Sequence, residues 1–247
     1  MFTFRWPGVR IPVSTPPRPG SLLPTMRAVY HEQLDQLGND LVTMTRLVGT
    51  AISRATESLL NADLALAELV IASDDDVDEV NRQLEDRCLD LAALQQPVAT
   101  DLRVVMSALR MSSSLERMGD LAAHVAKQTR LRYPAHAIPD ELRGTFTEMG
   151  RVAEAVTSKT GQVIAARDVA LAEGIERQDD EMDRLHRELF SIVLSPSWSH
   201  GVEAAIDVTL LSRYYERFSD HAVTVARRVV HIVTGEAYTS ASVTGRP

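Results

Sequence analysis

The chain has 247 residues, 34 acidic against 26 basic side chains and a net charge of −8, with 45% apolar residues and one cysteine. That length folds as one large domain or two of ordinary size without disulfide staples, and the lone Cys88 has neither a partner thiol nor metal-type spacing around it, which fits a reducing, cytoplasmic compartment. No stretch reaches the roughly 18 uncharged apolar residues of a membrane span. The acidic balance, without a basic run or interleaved aromatics, argues against nucleic acid as a partner.

Residues 1–25 differ in composition from the rest. They hold six of the 11 prolines and three arginines with no acid, which predicts a disordered extension rather than a secretory signal and leaves −11 for residues 26–247. Met26, just before the first helical pattern, reads as a natural start or as the boundary of a dispensable arm. Apolar residues then recur at three- and four-residue steps, which predicts helices over 27–61, 63–95 and 98–131, the second open to a break near Ser73–Asp75. After a linker at Tyr133–Ile138 the pattern resumes over 140–166, 168–194 and 200–235, and residues 237–247 read as a flexible tail. Leu102, Val105, Met106, Leu109 and Met118 are expected to form one core stripe, answered by Ile206, Leu210 and Leu211.

The second set of helices repeats the first. Asp63-Leu64-Ala65-Leu66-Ala67-Glu68 returns as Asp168-Val169-Ala170-Leu171-Ala172-Glu173, each at a helix start where Asp can cap free amides, and Val77-Asp78 returns as Met182-Asp183 at the same offset of 105. Leu115-Glu116-Arg117-Met118-Gly119-Asp120 returns as Tyr215-Glu216-Arg217-Phe218-Ser219-Asp220 at an offset of 100. The five-residue change falls at the loop holding Pro97 in one half and Pro196 in the other. The expected fold is therefore all-α, two tandem three-helix bundles related by an internal repeat, spanning 26–133 and 139–236.

Chemistry-bearing residues cluster on that repeat. Glu116 and Asp120 are four apart and share a helix face, as do Glu216 and Asp220. Like charges so placed repel by only about 0.2–0.5 kcal/mol when solvated, and Arg117 and Arg217 lie within reach of Asp120 and Asp220, so a plain salt-bridged surface competes with a metal site. Carboxylates without cysteine favour Mg, Mn, Fe or Ca over a structural zinc site. His124 is the nearest candidate nitrogen ligand, and Asp183 with His186 forms an Asp-x-x-His step. Di-iron bundles need Glu-x-x-His, which occurs nowhere in the chain. No nucleophile elbow or Gly-rich phosphate loop is present, which argues against an enzyme and leaves catalytic residues unassigned.

The segment Gln95–Lys127, QQPVATDLRVVMSALRMSSSLERMGDLAAHVAK, resembles the PhoU signature, with its Gln-Pro-Val-x-x-Asp-Leu-Arg opening and Leu-Glu-Arg-Ile-Gly-Asp core. Tyr215–Arg228 resembles the family's second copy, and the resemblance covers residues 27–235. It implies two three-helix bundles in pseudo-twofold relation and a non-catalytic, cytoplasmic adaptor, a homodimer, in phosphate homeostasis. That adaptor would couple a phosphate ABC transporter to a sensor histidine kinase and hold the kinase's starvation response off. The family's Glu/Asp-x-x-x-Asp motif, which holds metal clusters in some members, maps onto Glu116 with Asp120 and Glu216 with Asp220. A companion motif on the second helix falls at Asn81 and Glu85, with His186 and Phe190 as its counterpart and Asp78 and Asp183 as acidic neighbours. The implied ligand set is Glu85, Glu116, Asp120, Asp183, Glu216 and Asp220, with Fe, Mn, Zn or Mg as candidate ions. The alternative is a metal-binding helical bundle with a storage or scaffold role.

Overall fold

The computed structural model describes residues 23–95 and 97–236, so most of the predicted extension and the whole predicted tail lie outside the described residues. Six helices follow in chain order: α1 (Leu23–Asn61), α2 (Leu64–Gln95), α3 (Thr100–Arg132), α4 (Arg143–Ala166), α5 (Val169–Val193) and α6 (Gly201–Thr234). A single 3₁₀ turn, Asp140–Leu142, precedes α4. There is no strand among the described residues, and no described helix is long and apolar enough to cross a membrane.

α1 begins three residues before Met26, inside the predicted extension, and α2 runs unbroken through Ser73–Asp75. The run of acids there sits on a helix already committed by its buried face, Ala67, Val70, Val77, Leu84, Cys88 and Leu91. α1 shows the same logic, burying Leu34, Leu37, Leu41, Met44, Val48, Ile52, Ala55 and Leu59 at steps of three and four. Each such aliphatic side chain contributes about 1.5–3 kcal/mol when taken out of water. The repeated aspartates cap as expected: Leu66 N donates to Asp63 Oδ1 at 3.0 Å, and Ala170 N and Leu171 N donate to Asp168 Oδ1 at 2.8 and 3.1 Å. Ala62 and Arg167, one residue before each cap, both turn the chain with positive φ, 49° and 51°. The duplication thus extends to backbone conformation.

The halves share one continuous core. α1 packs on α4, and α3 packs antiparallel on α6, so that Arg132 meets Asp207, the rings of His124 and Tyr214 lie 5.3 Å apart, and Arg117 acts on His221. The α1–α4 approach is tight because glycine on one helix faces threonine on the other. A Cβ on Gly150 would meet Thr56 Cγ2 at 2.5 Å, and one on Gly161 would meet Thr45 Oγ1 at 2.8 Å. At the offset of 105 these are one contact repeated, Thr45 answering Gly150 and Thr56 answering Gly161. Thr56 Oγ1 also bonds the fully buried Tyr215 hydroxyl at 2.7 Å and so ties α1 to α6.

Asp207, 4% exposed, lies in the slot between α3 and α6. Arg132 Nε donates to its Oδ2 at 2.6 Å and Nη2 to its Oδ1 at 3.0 Å, while Gln128 Nε2 donates to Oδ1 at 2.6 Å. A buried carboxylate is tolerated here because its lone pairs are filled by charge-assisted bonds.

The expected core stripe is half right. Val105, Met118 and Leu211 are buried and Leu109 is partly so, but Leu102, Met106, Ile206 and Leu210 are 40–53% exposed. They occupy the opening turns of α3 and α6, where the antiparallel partner helix is running out.

Two stability predictions follow from the α1–α4 crossing. Gly150→Ala forces the helices apart and should lower stability by about 1–3 kcal/mol despite the better helix propensity of alanine. Gly38→Ala meets nothing within 4 Å and should raise stability by up to about 1 kcal/mol. Urea unfolding of the two variants should therefore move the midpoint in opposite directions.

Candidate functional site

The acidic residues collect on two faces, one on each α-hairpin. On α2 and α3 the groups in mutual electrostatic contact are Asp74, Asp78, Glu116 and Asp120. On α5 and α6 they are Asp179, Asp183, Glu216 and Asp220. The two sets are related residue by residue through the offsets of 105 and 100. Each helix supplies carboxylates at i and i+4, which its pitch stacks on one side.

Asp74 reaches inward because α3 offers it a glycine. A Cβ on Gly119 would lie 3.2 Å from Asp74 Oδ1, so a larger residue would crowd the carboxylate. Burial, then the charges of Asp120 and Asp78, raise the Asp74 pKa to about 6, with Lys127 and His124 opposing. Glu116 is raised as well, first by burial and then by Asp120. Arg117 Nη1 donates to Asp120 Oδ2 at 2.7 Å, the intrahelical bridge that spacing allowed.

In the other half Ser219 stands where Gly119 stands. Asp179 is pushed up to about 6, mainly by burial. The Ser219 hydroxyl draws it partly back down, although neither Asp179 Oδ1 nor Ser219 Oγ completes a hydrogen bond of normal geometry. Glu216 and Asp220 are also raised by burial, Glu216 further by Asp220. Arg213 Nη1 lies 2.5 Å from Glu216 Oε1, while Glu216 Oε2 is buried without a partner. The strongest contact to this pair thus comes from Arg213 on the preceding turn.

The structure sorts five of the six expected ligands onto two separate faces, Glu116 with Asp120 on one and Asp183 with Glu216 and Asp220 on the other, and places Glu85 on neither. Glu85 lies two turns along α2 from Asp78, accepts from Asn81 Nδ2 at 3.2 Å, and lines a different cavity with Ser113, Ser114 and Arg110. The α2 partner of the Glu116–Asp120 pair is instead Asp74-x-x-x-Asp78, and its repeat is Asp179-x-x-x-Asp183. Asp74 and Asp179 lie outside the expected ligand set, although the 105-residue offset joins them and each stands four residues before an acid that the resemblance singles out, Asp78 and Asp183. His186 Nδ1 bonds Ser212 Oγ at 3.0 Å and its ring stacks edge-on to Phe190, while His124 Nδ1 bonds the Asp120 carbonyl at 2.6 Å. Both histidines are thereby engaged in local structure.

Donor chemistry fits a hard cation, since the groups are carboxylates and two of their buried oxygens, on Asp179 and Glu216, lack partners. Among the described residues, however, no three His, Cys, Asp or Glu side chains are gathered closely enough to hold an ion.

The raised carboxylates make stability pH-dependent. Between about pH 4 and 6 folded Asp74 and Asp179 keep protons that the unfolded chain has released, so stability falls as pH rises through that window and levels off above it. Asp74→Asn with Asp179→Asn should raise the melting temperature by about 2–4 °C at pH 7.5 and leave it unchanged at pH 4, as read by thermal melts across pH.

Both acidic faces fall within sequence segments of one known domain. The PhoU domain family model matches residues 41–129 and 146–229, one match per half. The Phosphate-specific transport system accessory protein PhoU homolog 2 of Mycobacterium tuberculosis is 50% identical over 210 residues, which is 85% of this chain and 99% of that protein. The PhoU homolog 1 of Mycobacterium leprae is also 50% identical over 210 residues, 85% of this chain and 95% of that one. The crystal structure of the phosphate transport system regulatory protein PhoU from Streptococcus pneumoniae aligns with a TM-score of 0.75 at 25% identity, over 85% of this chain and 99% of the other. With the domain matched twice, the halves repeated residue by residue and the same six-helix fold, the chain belongs to the PhoU family.

Proposed function

We propose that this protein regulates phosphate uptake and the phosphate-starvation response as a non-catalytic, cytoplasmic adaptor, restraining a sensor histidine kinase according to the state of a phosphate ABC transporter. The observation that carries this reading is the match of both halves to the PhoU domain, with relatives at 50% identity named for the phosphate-specific transport system. An adaptor also needs exposed surface that a partner can cover. Each hairpin tip has it: Leu94, Val98, Leu102 and Met106 at one end, and Leu194, Val202, Ile206 and Leu210 at the other, all at least 40% exposed. Because α3 and α6 run antiparallel, these patches lie at opposite ends of the molecule. We assign the kinase and the transporter's cytoplasmic parts to them, with the acidic faces between tuning the contacts, and a homodimer as the working assembly.

Leu94→Asp with Val98→Asp changes exposed positions and should leave the fold intact. In cells at high phosphate it should derepress a phosphate-starvation reporter as strongly as deletion of the whole protein does. Normal repression in both strains would sink the reading.

The second reading, a metal-binding bundle with a storage or scaffold role, is favoured by the unpartnered Asp179 and Glu216 oxygens. Glu116, Asp120, Glu216, Asp220 and Asp183, joined by Asp74, Asp78 and Asp179, would be the ligands, and Fe, Mn, Zn or Mg the ions. Glu85 lies outside that set. Elemental analysis of protein purified without added metal tests it: at least one transition metal per chain, lost in Glu216→Ala with Asp220→Ala, is the expected result.

A further inference from the structure

The slot between α3 and α6 occurs twice, once at each end of the helix pair, and the repeat makes one copy a control for the other. At one end it is closed by the buried Asp207, with Arg132 and Gln128 bound to its carboxylate. At the offset of 100 the residue equivalent to Asp207 is Ser107, which is also buried, at 3% exposure. The equivalent of Gln128 is Arg228, and that of Leu210 is Arg110. The end that has lost the carboxylate has gained cations.

The result is a cavity of about 300 Å³ lined by Arg103, Ser107, Arg110, Arg228 and His231, with apolar walls and no acidic residue. No carboxylate lies within 4 Å of any of the three guanidinium groups among the described residues, and the residues outside them contain no Asp or Glu at all. Glu85, in the adjoining cavity with Arg110 and Arg228, is engaged by Asn81 instead. Arg103 rests against Gly235 at the carbonyl end of α6, which gives it partial negative charge. Arg110 and Arg228 face each other, and burial together with the Arg110 charge lowers the Arg228 pKa. In a chain with a net charge of −8, three arginines without an ion-pair partner leave this cavity positive, offset by Glu85 alongside and by the carbonyl end of α6.

We propose that this cavity binds a small tetrahedral oxyanion of the phosphate class, whose oxygens stand where the Asp207 carboxylate stands in the other half. Arg103, Arg110 and Arg228 supply forked N–H donors and fixed positive charge, the Ser107 hydroxyl donates from the floor, and the His231 ring closes the side. Free orthophosphate and the phosphoryl end of pyrophosphate or a nucleotide present the same chemistry. The inference rests on the slot alone and holds or fails independently of the regulatory reading.

The test is thermal melting and calorimetric titration of the full chain with sodium phosphate, pyrophosphate and ATP, each against sodium chloride of equal ionic strength. Saturable binding and a rise in melting temperature of about 2–4 °C are expected from at least one of the three, and which one responds most identifies the source. Arg110→Gln with Arg228→Gln should weaken binding at least tenfold. Ser107→Asp restores the carboxylate of the other half, so it should raise the melting temperature without ligand and abolish the response to it. No response beyond chloride from any of the three, or a response that survives both variants, would overturn the proposal.

Discussion

The close crossing of α1 and α4 is the constraint on which the rest of the molecule depends. Two helices joined by threonine-to-glycine contacts approach closely enough that a single added Cβ has no room, and the same contact is made twice, by Thr56 with Gly150 and by Thr45 with Gly161. Two equivalent contacts define an axis, and helices fixed about it have little freedom to slide. The buried Tyr215 hydroxyl on Thr56 extends that constraint to α6, which in turn sets α6 antiparallel to α3. Register along α3 and α6 then decides everything exposed: which residues flank the central Arg117 and His221, where the acidic faces lie, and what occupies each end of the slot.

Much of this was legible in the sequence, because a three-to-four residue apolar step is a direct image of helical pitch and a duplicated segment must fold as its copy does. Helix limits agree within a few residues, and both aspartates cap where the repeat predicts. Two differences between pattern and structure have physical causes. Leu102, Met106, Ile206 and Leu210 continue the periodicity of buried neighbours, and periodicity records which side of a helix is apolar, not whether a partner helix extends that far. The resemblance places the companion motif at Asn81 and Glu85, one heptad along the same face of α2 from Asp74 and Asp78. The choice between one pair of turns and the next depends on where α3 offers a small residue, and Gly119 selects Asp74. In the run Asp74-Asp75-Asp76 only the first is half-buried, which composition alone does not reveal.

The acidic faces and the interhelical slots show the duplication diverging in different ways. On the faces the carboxylates are kept in both halves while their surroundings change: glycine becomes serine beneath the inner aspartate, and the shortest arginine contact moves from Asp120 in one half to Glu216 in the other. Both inner aspartates are still pushed to about 6. Burial is the first cause of the rise in both copies although their neighbours differ, so the fold itself holds these carboxylates in place. Protons, a cation or a partner surface that supplies positive charge would each relieve the cost of that burial.

In the slots the opposite holds, since the backbone is kept and the charge is reversed. A carboxylate clamped by arginine is self-sufficient, so the end with Asp207 is a structural pin that needs nothing from solution. Replacing that carboxylate by serine and adding arginines converts the same geometry into one whose electrostatic balance is completed from outside. Because each slot spans α3 and α6, filling the open one stiffens the contact between the two halves without touching the α1–α4 crossing.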